Sequence, residues 1–152
     1  CLRPDGSLDT EANAMLMEHA KGLSVTFHRA FDRCADPRKA LEELIAQGFD
    51  RILTSGQQPT ALEGTPLLKE LHEQANGRII LLAGCGVNEQ NIATIAQATA
   101  IHEFHFSART AVKSKMMFSN PDVYMGAKDA DEDTLNITSA ERVANTIAQL
   151  CK

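Results

Sequence analysis

Four short apolar runs, at residues 23–28, 49–54, 78–83 and 101–107, start between 23 and 29 residues apart and are separated by helical patterns. Strand-sized runs at this spacing are the mark of βα units, in which each helix carries the chain back for the next parallel strand. The punctuation agrees. Asp36 can cap a helix with Pro37 at its first position, an apolar stripe of Ala40, Leu41, Leu44 and Ile45, and Gly48 as its stop. Thr65 and Pro66 open a second helix, with Leu67, Leu68, Leu71 and Ala75 on one face and Gly77 at its end. Asn88 starts a third with Ile92, Ile95 and Ala96, and Thr138 with Glu141 makes a capping box ahead of Val143, Ile147 and Leu150. A further helix is expected over residues 8–21, before the first run. Right-handed crossovers leave two α/β architectures: an open doubly wound sheet, or part of a (β/α)8 barrel. No linker interrupts the pattern, so residues 1–152 read as a single domain. Residues 108–137 are too long for an ordinary connection and are read as either functional or partly mobile.

Polar residues gather where the strands end. "VTFHRAFD" (25–32) finishes in His28, Arg29 and Asp32, "RILTSG" in Thr54, Ser55 and Gly56, "LAGCGVN" in Gly84, Cys85 and Gly86, and "FHFSART" in His105, Ser107 and Arg109. Side chains alternate along a strand, so Val25 and Phe27 face one way and His28 the other, as Phe104 and Phe106 oppose His105. Parallel α/β folds bind their ligands at this edge.

Two chemistries fit. Gly84 and Gly86 between strand and helix allow backbone N–H groups near an anion, with Ser107 as a hydroxyl and Arg29 and Arg109 as cations. Glycines alone also make a tight turn. His28 and His105 can transfer protons near neutral pH, or be core histidines satisfied by hydrogen bonds. Arg29 with Asp32 reads first as an ion pair. Thiols with imidazole suit Cu(I) or Zn, which makes Cys34, Cys85 and His28 candidate ligands, with Met116, Met117 and Met125 as further thioethers. An isolated cysteine or methionine more often packs as a hydrophobe.

The bulk properties narrow the partners. A net charge of −5 and a pI near 5.5 argue against nucleic acid or an anionic membrane. The four cysteines are widely spaced with no CxxC pair, which fits reduced thiols in the cytoplasm, and Asn136-Ile137-Thr138 carries no weight without a secretory signal. A homo-oligomer stays open.

Together, "VTFHRAFD", "RILTSG", "ALEG" and "EFHFSAR" resemble the copper homeostasis protein CutC family over nearly the whole chain. The resemblance implies a TIM-type barrel of ~250 residues, with this chain carrying strands five to eight. It implies a cytoplasmic role in copper homeostasis with copper ion as the ligand. The family's "AG-x-GV" corresponds to Ala83–Val87, with Cys85 at the variable position. Family ligands on the early strands do not carry over, because "CLRPDGSLD" reads as the end of an element already under way, and a fragment is expected. The alternative is an enzyme, or former enzyme, acting on a small phosphorylated or anionic substrate at the rim, with His28 or His105 as general acid–base.

Overall fold

The computed structural model describes residues 1–118, 120, 122, 123, 126, 131 and 133–151. Helix α1 (Thr10–His19) precedes strand β1 (Thr26–Phe27) and a short 3-10 turn (Arg29–Arg33). Then come α2 (Pro37–Ala46), β2 (Arg51–Thr54), α3 (Thr65–Ala75), β3 (Ile80–Gly84), α4 (Ile92–Thr99) and β4 (Glu103–His105). Strands β5 (Arg109–Lys113) and β6 (Thr134–Thr138) lead into α5 (Ala140–Ala148).

The four expected strands form one sheet in the order β1-β2-β3-β4, every pair parallel. Phe27, Ile52 and Leu81 lie in one row and Thr54, Ala83 and Phe104 in another, all on the face that the helices cover. Leu41, Leu44, Leu68, Leu71, Ile92 and Ile95 complete the core from the helix side. Alternate positions (Thr26, Arg51, Leu53, Ile80, Leu82, Glu103) point to the opposite face, which corresponds to the interior of a barrel. This arrangement is a partial TIM-type α/β fold.

Local chemistry explains most helix boundaries. Asp36 accepts from the amides of Arg38 and Lys39 with Pro37 at the first helical position, and Asp9 accepts from Ala12. Two starts differ from expectation. The α4 helix begins at Ile92, because Asn88 is engaged in a turn: its side chain donates to the Gly86 carbonyl and accepts from the Gln90 amide. The cap of α5 is Ser139, which accepts from the Arg142 amide, while Thr138 ends β6 and donates to the Ser107 carbonyl. Residues 108–137 also hold more regular structure than expected. Their two ends pair as an antiparallel hairpin, with Thr110 opposite Ile137 and Val112 opposite Leu135.

One close approach fixes the loop after β2. Gly56 has φ +69, and a Cβ there would sit 2.4 Å from the Gly64 carbonyl oxygen. A Cβ on Gly64 would lie 1.8 Å from the Ser55 carbonyl oxygen, with backbone on both sides and nothing flexible to yield. Gly64→Ala is expected to lower stability by about 3 kcal/mol, the upper end for overpacking, read as a lower urea midpoint. A midpoint matching the parent would show that the loop adapts.

Candidate functional site

The polar strand ends lie at one edge of the sheet, where they form two adjoining clusters. The first is a cavity of about 350 Å³ at the ends of β3 and β4, walled by Cys85, Gly86, Asn88, His105, Ser107, Arg109 and Arg142 together with Val87, Phe106 and Ala108. Among the described residues, no carboxylate is in its wall. Gly86 has φ +73, a conformation that suits glycine and turns the chain from β3 toward α4. The exposed Arg109 guanidinium has no partner among the described residues. That of Arg142 is held by both carboxylate oxygens of Glu89, at 3.1 and 3.0 Å, and donates to the Arg109 carbonyl.

The second cluster centres on Asp32, whose side chain is only 7% exposed. Its carboxylate accepts from the Thr54 hydroxyl at 2.6 Å, the Ser55 amide at 3.0 Å, the Gln57 amide at 3.2 Å and Arg29 Nε at 2.7 Å. Burial alone would raise its pKa. The Thr54 hydroxyl, then Arg29 and the Gln57 and Ser55 amides, outweigh burial and hold it below the ordinary 3.8. Arg29 also donates to Ser55 Oγ at 3.0 Å. The hydrogen bond to Asp32 keeps it charged against desolvation, and it lies close enough to Cys85 to interact with the thiol. Arg29 therefore bridges the Asp32 network and the cavity wall.

The candidates from sequence are thus divided. Gly86, Ser107, Arg109 and Cys85 share the cavity with His105. Arg29 stands beside it through Cys85. Gly84 is outside the lining and closely packed: a Cβ there would lie 2.6 Å from Leu53 Cδ1. The exposed His28 ring stacks on Phe27 with centroids 5.7 Å apart, and its Nδ1 accepts from the Ala30 amide. Asn88 and Arg142 were not foreseen. Arg142 reaches the cavity from a helix 33 residues after Arg109 in sequence, a distance that no local pattern reveals.

The thiols have different surroundings. Cys34 is buried, and burial pushes its pKa up to about 11, so it stays protonated at neutral pH. Gln57 Nε2 lies 3.5 Å from its Sγ. Cys85 is half-buried, with φ +85, and its Sγ donates to the Pro59 carbonyl at 3.1 Å. Among the described residues, no three His, Cys, Asp or Glu side chains gather as a metal-holding group, so Cys34, Cys85 and His28 do not form one three-ligand cluster. Met116 and Met117 are exposed beyond β5, and Met125 lies outside the described residues.

Comparison with known proteins follows this geometry. The CutC family model matches residues 1–110. A CutC family protein of Bacteroides thetaiotaomicron is 60% identical over 148 residues, covering 97% of this chain and 59% of that protein. One from Vibrio cholerae is 45% identical over 151 residues, covering 98% and 59%. A crystal structure from Streptococcus agalactiae, described as a candidate copper homeostasis protein CutC, superposes with a TM-score of 0.65 at 36% identity. That match covers 68% of this chain and 51% of the other. The chain spans about three fifths of the length of these curated relatives.

The Asp32 network makes stability depend on acid. A carboxylate with a depressed folded pKa stabilises fully above its unfolded value, 3.8, and this contribution is lost as pH falls through the lower folded value. Asp32→Asn should therefore flatten the acid limb of a stability–pH curve and lower stability at neutral pH by about 1–3 kcal/mol. Parallel acid limbs for parent and variant, followed by denaturant titration, would contradict this account.

Proposed function

The chain belongs to the CutC family, and on that premise we propose that its working site is the cavity at the ends of β3 and β4, occupied by a small phosphate or carboxylate compound. One observation carries the reading: Arg109, a cation without a partner among the described residues, lines a cavity that no carboxylate among them enters, together with Gly86 and Ser107. Arg142 is already neutralised by Glu89, so Arg109 supplies the charge left for a ligand. Arg29 adds positive potential from beyond Cys85. If turnover follows binding, His105 is the imidazole in the wall that would act as general acid–base, while His28 is engaged in capping and stacking.

Calorimetry with inorganic phosphate tests this. Arg109→Ala should weaken binding about tenfold, as expected for loss of a charge-assisted hydrogen bond contributing about 1.5–3 kcal/mol before solvent screening. Heats that are absent in the parent, or unchanged in the variant, would overturn the reading.

A second reading is favoured by the S. agalactiae relative's description and by a thiol and an imidazole, Cys85 and His105, in the same wall. Here the chain takes part in copper homeostasis in the cytoplasm and carries Cu(I) as cargo, with Cys85 and His105 of the wall as its first ligands, while Cys34 and His28, the other candidates, lie outside that wall. A soft thiolate favours this ion. Of the two thiols, Cys85 is the accessible one, and Cys34 must lose a tightly held proton before it can ligate. Under anaerobic Cu(I) loading, Cys85→Ser should reduce bound copper more than Cys34→Ser, measured by metal analysis after desalting. A Cys34→Ser, Cys85→Ser double variant that keeps the full stoichiometry would remove copper binding through these thiols.

A further inference from the structure

Glu89 lies in the connection between β3 and α4, outside the cavity wall to which its partner Arg142 belongs. Its two carboxylate oxygens accept from Arg142 Nε at 3.1 Å and Nη2 at 3.0 Å. The remaining nitrogen, Nη1, donates to the carbonyl of Arg109. All three guanidinium nitrogens are therefore engaged, and the second hydrogens of Nη1 and Nη2 are not used by these bonds. Arg142 itself is held at the start of α5, where its amide donates to the Ser139 hydroxyl. The hydrogen bond from Arg142, followed by the Glu89 amide, keeps the Glu89 carboxyl below its ordinary 4.5, so it is charged at neutral pH. Both side chains of the pair are partly buried, 37% and 24% exposed, so solvent screens them less than it would on an open surface.

This pairing does more than fix a side chain. A guanidinium backed by a carboxylate still donates hydrogen bonds, but an approaching anion meets the negative partner as well as the positive one. Each charge on the ligand is repelled by Glu89, so a dianion is repelled twice as strongly as a monoanion at the same place. Arg29, beyond Cys85, is backed in the same way by Asp32. Arg109 is the guanidinium of the wall with no such partner among the described residues.

Building on the anion-binding reading of this cavity, we propose that Glu89 is a specificity residue: by pairing Arg142 from outside the wall, it keeps the donor and withdraws the charge. The site is thereby turned toward singly charged carboxylates and phosphodiesters and away from doubly charged phosphomonoesters. Glu89 touches no ligand in this arrangement and acts only through Arg142.

Two small probes read the charge preference by NMR titration at low ionic strength. Methyl phosphate is a dianion well above its second pKa of about 6, and dimethyl phosphate is a monoanion. Glu89→Gln keeps the shape and removes the charge. It should move the ratio of the two affinities toward methyl phosphate about threefold or more, and added salt should shrink the shift. Arg142→Gln leaves Glu89 unpaired beside the cavity and should move the ratio the other way, which serves if Glu89→Gln fails to fold. Each ratio is compared with that of the parent, so charges elsewhere in the protein cancel. Equal gains or losses for both probes would make Glu89 only a support for Arg142 and overturn its role in specificity, with the anion site still standing. A parent that binds neither probe removes the anion site, and this role with it.

Discussion

Parallel pairing of sequence-adjacent strands is the constraint from which the rest follows. Two parallel neighbours can be joined only by a crossover that returns the chain to its starting end. Each of the first three strands is therefore followed by a helix, and all four strands of this sheet finish at the same edge. The helices cover one face, so Ile52, Leu81 and Ala83 become core while Arg51, Leu53 and Ile80 are left to the other. Polar groups that would be costly inside a helix-covered core are tolerated at the strand ends, where solvent and loop amides meet them.

At that edge the chain solves two electrostatic problems differently. Asp32 is nearly buried, yet it is ionised because hydroxyl, amide and guanidinium donors converge on it. It anchors the loop after β2 and aims Arg29, so its role is to position. The cavity between β3 and β4 has the opposite character: cations and donors, with no carboxylate among the described residues of its wall. A carboxylate that organises and a guanidinium left unmatched are distinct states of the same rim, separated by one strand.

The family relationship and the geometry speak to different levels. Sequence identity of 60% with a CutC family protein secures the family. The S. agalactiae relative is described in terms of copper homeostasis, while the charges in the cavity wall of this chain favour an anion. The two are compatible, because thiol and imidazole line the same cavity as the guanidiniums.

Sequence by itself determined the strand–helix alternation, the parallel order and the gathering of polar residues at the strand ends. Those features arise from local periodicity, capping chemistry and the limited set of right-handed crossovers, all written within a few residues of one another. It also announced Gly86, Ser107 and Arg109 as neighbours of one edge. Only the tertiary structure decided which of these residues share a cavity. Gly84 became a packing position against Leu53, and His28 was engaged by Phe27 and the Ala30 amide. Arg142 arrived from a distant helix. The β5–β6 hairpin escaped notice because its short strands flank a long polar stretch, and their pairing joins residues up to 29 positions apart. Rotamer, register and long-range approach depend on how whole elements dock, and a linear pattern does not contain that information.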